Sequence, residues 1–143
     1  MRNDLKGVSE NPVDDKGRVS LPTKYRKPLS GIDLVLVKSN NKEFPYLKLY
    51  TEEDYYSWVD DFFVAGGGFL ANDQLQELQK LRLIGAAEKV KIDASYRIRF
   101  TQDQIKYASI GDRVRFIGAG DYVAIMDIDQ ADKLIDVPLY AKE

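Results

Sequence analysis

The chain contains no cysteine and no histidine. The first absence excludes disulfides, thiolate metal sites and thiol nucleophiles. The second removes the commonest general base and metal ligand, and with them every Ser–His or Cys–His arrangement. Few enzyme chemistries survive both. Long apolar runs are missing as well. No stretch approaches the roughly 20 apolar residues of a membrane span, and Met1-Arg2-Asn3-Asp4-Leu5-Lys6 lacks the apolar core of a secretory leader. These absences predict a cytoplasmic protein with no catalytic residues, metal or cofactor, and with neither a membrane nor a small-molecule substrate as partner.

What remains is an ordinary soluble balance. The chain has 143 residues, 44% of them apolar and 31% charged. That length suits one compact domain or two intertwined halves and buries a core without staples. The net charge of −2 argues by itself against nucleic acid, but the charges are sorted along the chain. Segment 14–27 holds Lys16, Arg18, Lys24, Arg26 and Lys27 against Asp14 and Asp15. Segment 91–106 holds Lys91, Arg97, Arg99 and Lys106 against Asp93 and Asp103. Segment 52–61 has five acids and no cation, and 121–136 has five aspartates against Lys133. Such sorting fits either solvated faces or a focused field at one surface.

The pattern is written twice. In the first copy Asp14-Asp15-Lys16-Gly17 makes a turn, after which Arg18-Val19-Ser20-Leu21 alternates polar and apolar residues as a strand does. A short helix over 23–29 follows, closed by Ser30-Gly31, then β-rich segments at 32–37 and 46–50, then a helix capped by Thr51. From Ile92 the same rhythm returns at an offset of 79 positions, with Asp93 on Asp14, Arg97 on Arg18, Ile98 on Val19, Phe100 on Leu21 and Val114 on Val35. Each copy reads strand, turn, strand, short helix, strand, strand, helix, with each turn and its flanking strands forming a hairpin. Neither copy is large enough to cover its own sheet, so the two are expected to share one core. Gly66-Gly67-Gly68 breaks the chain between them. Asn72 or Asp73 then caps a linking helix carrying Leu75, Leu78, Leu81 and Leu83 on one stripe. The expected partition is a first unit at 7–60, a linking helical segment at 61–87 and a second unit at 88–135.

Two roles are open to Arg18 and Arg97. Each guanidinium can pair with the aspartate of its own turn and stiffen it. Alternatively, its fork of donors can reach phosphate or a guanine edge, and a β-ribbon fits the major groove. Asp14 and Asp93 would then be arginine-orienting residues. Lys16, Lys24 and Arg26 are candidate phosphate anchors, and Arg99 shares a strand face with Arg97. The aromatic cluster Tyr55, Tyr56, Trp58, Phe62 and Phe63 lies among acids, which suits a core or subunit interface better than base stacking. Asp14 and Asp93 can also be read as paired catalytic carboxylates, a reading that no nucleophile or metal cluster supports.

Asp14-Asp15-Lys16-Gly17-Arg18-Val19-Ser20-Leu21-Pro22-Thr23-Lys24-Tyr25-Arg26 resembles the signature of the MraZ family. Its looser form, Asp, three residues, Arg, recurs at Asp93/Arg97. Leu81-Arg82-Leu83-Ile84-Gly85-Ala86-Ala87 and Gly118-Ala119-Gly120-Asp121 extend the resemblance over nearly the whole chain. It implies an α+β fold of two AbrB-like swapped-hairpin β-barrel halves sharing one core. It also implies a nucleoid-associated, sequence-specific DNA-binding repressor that forms a ring-shaped homo-oligomer on direct repeats in the promoter of the division and cell-wall gene cluster. The DNA-binding residues it implies are Lys16, Arg18, Lys24, Arg26, Arg97 and Arg99. A ring-forming interaction protein without DNA binding is the alternative. Tyr96 stands where the first copy has Gly17, which predicts a wider or bulged second turn. Ser95, Asp103 and Ile105 replace Lys16, Lys24 and Arg26, so the first copy is expected to dominate DNA contact.

Overall fold

A computed structural model describes residues 4–70 and 72–140. The first copy contributes strands β1 (Val8–Pro12) and β2 (Arg18–Ser20), helix α1 (Thr23–Leu29), strands β3 (Leu34–Lys38) and β4 (Leu47–Thr51), and helix α2 (Glu52–Ala65). Helix α3 (Gln74–Gly85) follows. The second copy contributes β5 (Glu88–Val90), β6 (Arg97–Arg99), α4 (Gln102–Ala108), β7 (Arg113–Gly118), β8 (Val123–Asp127) and α5 (Ile128–Asp132), ending in a 3-10 turn at Lys133–Asp136. The result is an α+β protein with antiparallel sheets and five α-helices among the described residues. None of these helices is long and apolar enough to cross a membrane.

The six-stranded sheet runs β1-β7-β8-β4-β3-β5, and a two-stranded ribbon pairs β2 with β6. Each copy's first strand therefore sits beside the other copy's third: β1 on β7, β5 on β3. Each turn is closed by a backbone hydrogen bond, Asp14 N–H to the Arg18 carbonyl and Asp93 N–H to the Arg97 carbonyl, both 2.9 Å, but the strands flanking each turn belong to different sheets. In the first copy a bridge between Val13 and Val19 and the Asn11 side-chain amide donating to the Ser20 carbonyl also link them. The sequence could not reveal this, because a turn signal specifies chain reversal and not which strand accepts the hydrogen bonds.

This exchange produces the shared core. Leu34, Leu36, Leu47 and Leu49 from the first copy meet Val114, Phe116, Val123 and Ile125 from the second on one sheet face, and Val19 and Ile98 close over them from the ribbon. The opposite face is covered as well. Val35, Val37 and Tyr50 pack against Tyr55, Val59 and Phe63 of α2, while Ala124 and Met126 pack against Ala131 of α5. Strand β3 is thus buried on both faces, which explains why Leu34-Val35-Leu36-Val37 is a continuous apolar run and not an alternating one.

Thr51 caps α2 by accepting from the Asp54 amide at 3.1 Å, and Asp73 caps α3 by accepting from Gln76 at 3.0 Å. Helix α3 packs inward through Leu83 and Ile84, and Tyr55 Oη donates to the Leu83 carbonyl at 2.6 Å. Its leucine stripe lies outward: Leu75, Leu78 and Leu81 are about two-thirds exposed at 65%, 64% and 66%. One close approach requires glycine. A Cβ on Gly118 would lie 2.3 Å from the Lys6 backbone, where the N-terminal segment crosses β7 and the Gly118 amide donates to the Gly7 carbonyl at 2.9 Å.

Candidate nucleic-acid interface

The two turns are built alike, atom for atom. In the first, Asp14 Oδ1 accepts from the Lys16 amide at 3.0 Å and the Arg18 amide at 2.8 Å, and Oδ2 accepts from Arg18 Nε at 2.8 Å. In the second, Asp93 Oδ1 accepts from the Ser95 amide at 2.8 Å and the Arg97 amide at 2.9 Å, and Oδ2 accepts from Arg97 Nε at 3.0 Å. The backbone repeats too, with the Gly17 and Tyr96 amides each donating at 3.0 Å to the carbonyl of the turn's aspartate. The second turn is therefore neither wider nor bulged. Tyr96 takes the left-handed conformation, φ 59°, that Gly17 takes at φ 76°. Its ring in turn lies under the Arg26 guanidinium, 4.9 Å from centroid to Cζ.

Both carboxyls are held below their ordinary pKa, chiefly by the backbone amides of Arg18 and Arg97 respectively. A carboxyl held in its ionised form is suited to orienting a cation and not to donating a proton, the role for which catalytic acids are tuned upward. This speaks against the catalytic-carboxylate reading. Each aspartate engages the Nε side of its arginine. Among the described residues no acceptor bonds the Nη1 or Nη2 atoms of Arg18 or Arg97, so the outer edge of each fork stays open. The two roles read from the sequence are therefore compatible: the ion pair orients the arginine and leaves its outer guanidinium edge without an acceptor among the described residues.

The ribbon joins the two turns into one surface. Arg18 stands opposite Arg99, Val19 opposite Ile98 and Ser20 opposite Arg97. Val19 and Ile98 point into the core, which puts Arg18, Ser20, Arg97 and Arg99 on the outer face. The Phe100 amide donates to Gly17 and the Leu21 amide to Tyr96. Arg18/Arg99 and Ser20/Arg97 are thus the non-hydrogen-bonded pairs, where side chains stand closest. Like charges directly opposite each other are unfavourable, and an anion over this face would relieve that repulsion. The ribbon takes one arginine from the first copy and two from the second, because Arg99 replaces Ser20 at the equivalent position. The second copy therefore contributes more to this face than its depleted turn and helix suggest.

The remaining candidates divide. Lys16 is exposed at the first turn, and among the described residues only its backbone amide is engaged. Lys24 and Arg26 border the ribbon, lining with Ser20 and Glu10 an open depression of about 500 Å³. Both carry structural contacts: Lys24 Nζ donates to the Val8 carbonyl and Arg26 Nε to the Leu21 carbonyl, each at 2.9 Å. Arg115 instead joins β1 to α5, through Glu10 at 2.6 Å and Asp132 at 2.9 Å. Sequence reasoning missed the Arg26–Tyr96 stack and the Arg18–Arg99 pairing. The repeat offset contained a clue to the pairing, but only the strand exchange brings the two positions together.

A duplicated α+β unit with a composite arginine-bearing ribbon, each turn locked by an aspartate, defines the class of this protein. No family model matches the chain. It is, however, 31% identical to the transcriptional regulator MraZ of Coxiella burnetii over 117 residues, covering 81% of this chain and 74% of that protein. It is 32% identical to the proteins of the same name from Alkalilimnicola ehrlichii, over 80% of this chain and 74% of that one, and Legionella pneumophila, over 82% and 75%. The chain belongs to the MraZ family of transcriptional regulators.

Proposed function

We propose that this protein is a sequence-specific, DNA-binding repressor, nucleoid-associated in the cytoplasm, whose β2–β6 ribbon enters the major groove of promoter DNA. The observation that carries this reading is the outer face of the ribbon. Three arginines share it, two of them pre-oriented by aspartates with their outer guanidinium edges open. The major groove, about 12 Å wide, admits a two-stranded ribbon, and a guanidinium fork matches guanine O6 and N7. Arg18, Arg97 and Arg99 read bases, while Lys16, Lys24 and Arg26 position the ribbon through phosphates. Asp14 and Asp93 orient their arginines.

The fold itself we read as two AbrB-like swapped-hairpin barrel halves, with units at 7–60 and 88–135 joined by 61–87. The crossed pairing of β1 with β7 and β5 with β3 supports this. One ribbon contacts few base pairs. A ring of copies on direct repeats raises affinity through effective concentration, and the proposed target is the promoter of the division and cell-wall gene cluster. The structural duties of Lys24 and Arg26, together with the net charge of −2, favour the second reading, a ring-forming interaction protein.

Titration of the DNA upstream of the chain's own gene over a salt series separates the two. DNA binding predicts affinity that falls with salt, the log–log slope flattening by about 0.9 for each phosphate contact removed. Arg18→Ala should lose specific binding by about 1–3 kcal/mol per recognised base while weak, salt-sensitive binding survives. Unchanged specificity in Arg18→Ala overturns the assignment of Arg18, and salt-independent or absent binding favours the interaction protein.

A further inference from the structure

We propose that residues 135–140 of one copy dock into an aromatic, cation-rimmed groove between α2, α3 and the β3–β4 connection of a second copy. This rests on the oligomeric part of the function proposed above, and names the segment and the surface that make the contact. The segment bears large exposed apolar side chains: Ile135 is 89% exposed, Leu139 90% and Tyr140 85%. Ile135 and Asp136 close the 3-10 turn that ends α5, and Val137, Leu139 and Tyr140 follow it, so exposed apolar side chains flank an acid. Asp136 has no ion-pair or hydrogen-bond partner among the described residues. Contiguous apolar surface of this kind is uncommon on a protein that remains alone.

The groove, of about 580 Å³, has the complementary chemistry. Trp58, Phe62 and Tyr107 supply aromatic surface, Lys42, Lys48 and Arg82 supply cations beside Lys38, which is paired with Asp103, and among the described residues no carboxylate lines it. Lys48 is half-buried, and among the described residues its ammonium meets only the rings of Trp58 at 5.5 Å and Tyr122 at 5.4 Å. Burial pulls its pKa down with no acid opposing the shift. An occupant suited to this site brings apolar side chains and negative charge together, as residues 135–140 do through Asp136.

The donor is a second copy because the segment and the groove belong to different parts of the protomer. The segment leaves α5, which packs on β7 and β8, whereas the groove lies beside β3 and β4 under α2 and α3. A contact between unlike surfaces is heterologous and propagates head to tail, closing into a ring when its rotation permits. Both surfaces lie on sheet faces other than the one the ribbon closes, so the arginines remain free in the assembly.

Trp58 is the only tryptophan and reports directly on the groove. Light scattering across the micromolar range should show a large species for the full chain. Removal of residues 135–143 should weaken self-association at least about tenfold, the scale of losing one buried anchor, while circular dichroism stays unchanged. The exposed pair Lys42→Glu with Arg82→Glu should do the same, and adding Asp136→Lys should restore association. A synthetic peptide of residues 132–140 should shift Trp58 emission in the truncated chain and not in the full-length assembly. A full chain that is monomeric throughout overturns both this contact and the oligomer reading. An oligomer indifferent to truncation, or Trp58 emission unmoved by the peptide, overturns only the contact. A monomer whose Trp58 emission changes on truncation means the segment folds onto its own chain, and overturns the second-copy assignment.

Discussion

Ile98→Ala tests whether the ribbon belongs to the shared core. Ile98 is 1% exposed and stands opposite Val19, also 1% exposed, from a strand 79 positions away in the sequence. The substitution removes three carbon atoms, worth roughly 0.8 kcal/mol each by transfer, or about 2.4 kcal/mol. Incomplete collapse of the cavity adds to that, so about 3–4 kcal/mol is expected, inside the usual range of about 2–5 for such truncations. A domain of this size has roughly 5–15 kcal/mol in all, so the variant should fold but melt about 10 °C lower. Calorimetry at fixed protein concentration measures the shift, and Val19→Ala provides a second arm. Because the two side chains touch across the ribbon, the double variant should deviate from additivity by about 0.5 kcal/mol or more. A shift below about 3 °C for Ile98→Ala, or strict additivity with Val19→Ala, would refute the pairing of β2 with β6 and remove the composite arginine face.

Two further outcomes follow from the geometry. Gly118→Ala places a methyl 2.3 Å from the Lys6 backbone, which cannot yield as a side-chain tip would. It should cost about 1–3 kcal/mol and detach the N-terminal segment from β7, seen as faster hydrogen exchange at the residue-118 amide than in the native chain; unchanged exchange refutes the crossing. The second concerns pH. Asp14 and Asp93 have folded pKa values below the ordinary 3.8. Their contribution is therefore complete above that value and is lost as pH falls through the lowered folded values. The Arg18 and Arg97 Nε–H resonances should shift together over that acid range, and Asp14→Asn should abolish only the first transition. Titration at or above the ordinary carboxylate value would refute the locked turns.

Most of the chain's organisation was legible as sequence. The two copies, their short helices, the Thr51 cap and the Asp/Arg skeleton of each turn follow from periodicity, turn chemistry and a fixed offset. These are local rules, satisfied within a few residues. Tyr96 shows where local rules mislead. A bulky side chain at a glycine position predicts altered geometry, yet the amides around Asp93 and the stack beneath Arg26 hold it at φ 59°. The leucine stripe on α3 misleads in a similar way. Periodicity puts Leu75, Leu78 and Leu81 together, but Leu83, Ile84 and the Tyr55 bond decide which side of the helix faces inward.

The sequence by itself determined that one unit is written twice, that its turns bear paired aspartates and arginines, and that β3 is apolar on both faces. It did so because helix and strand periods, turn residues and side-chain chemistry act over a few neighbouring positions. Only the tertiary structure decided which strands pair. Cross-copy strand partners, from Leu36 and Glu88 at 52 positions apart to Val8 and Ile117 at 109, are selected by the fit of whole sheet faces, a property that no local pattern encodes. That selection set Arg18 opposite Arg99 and turned two modest basic segments into one continuous cationic face.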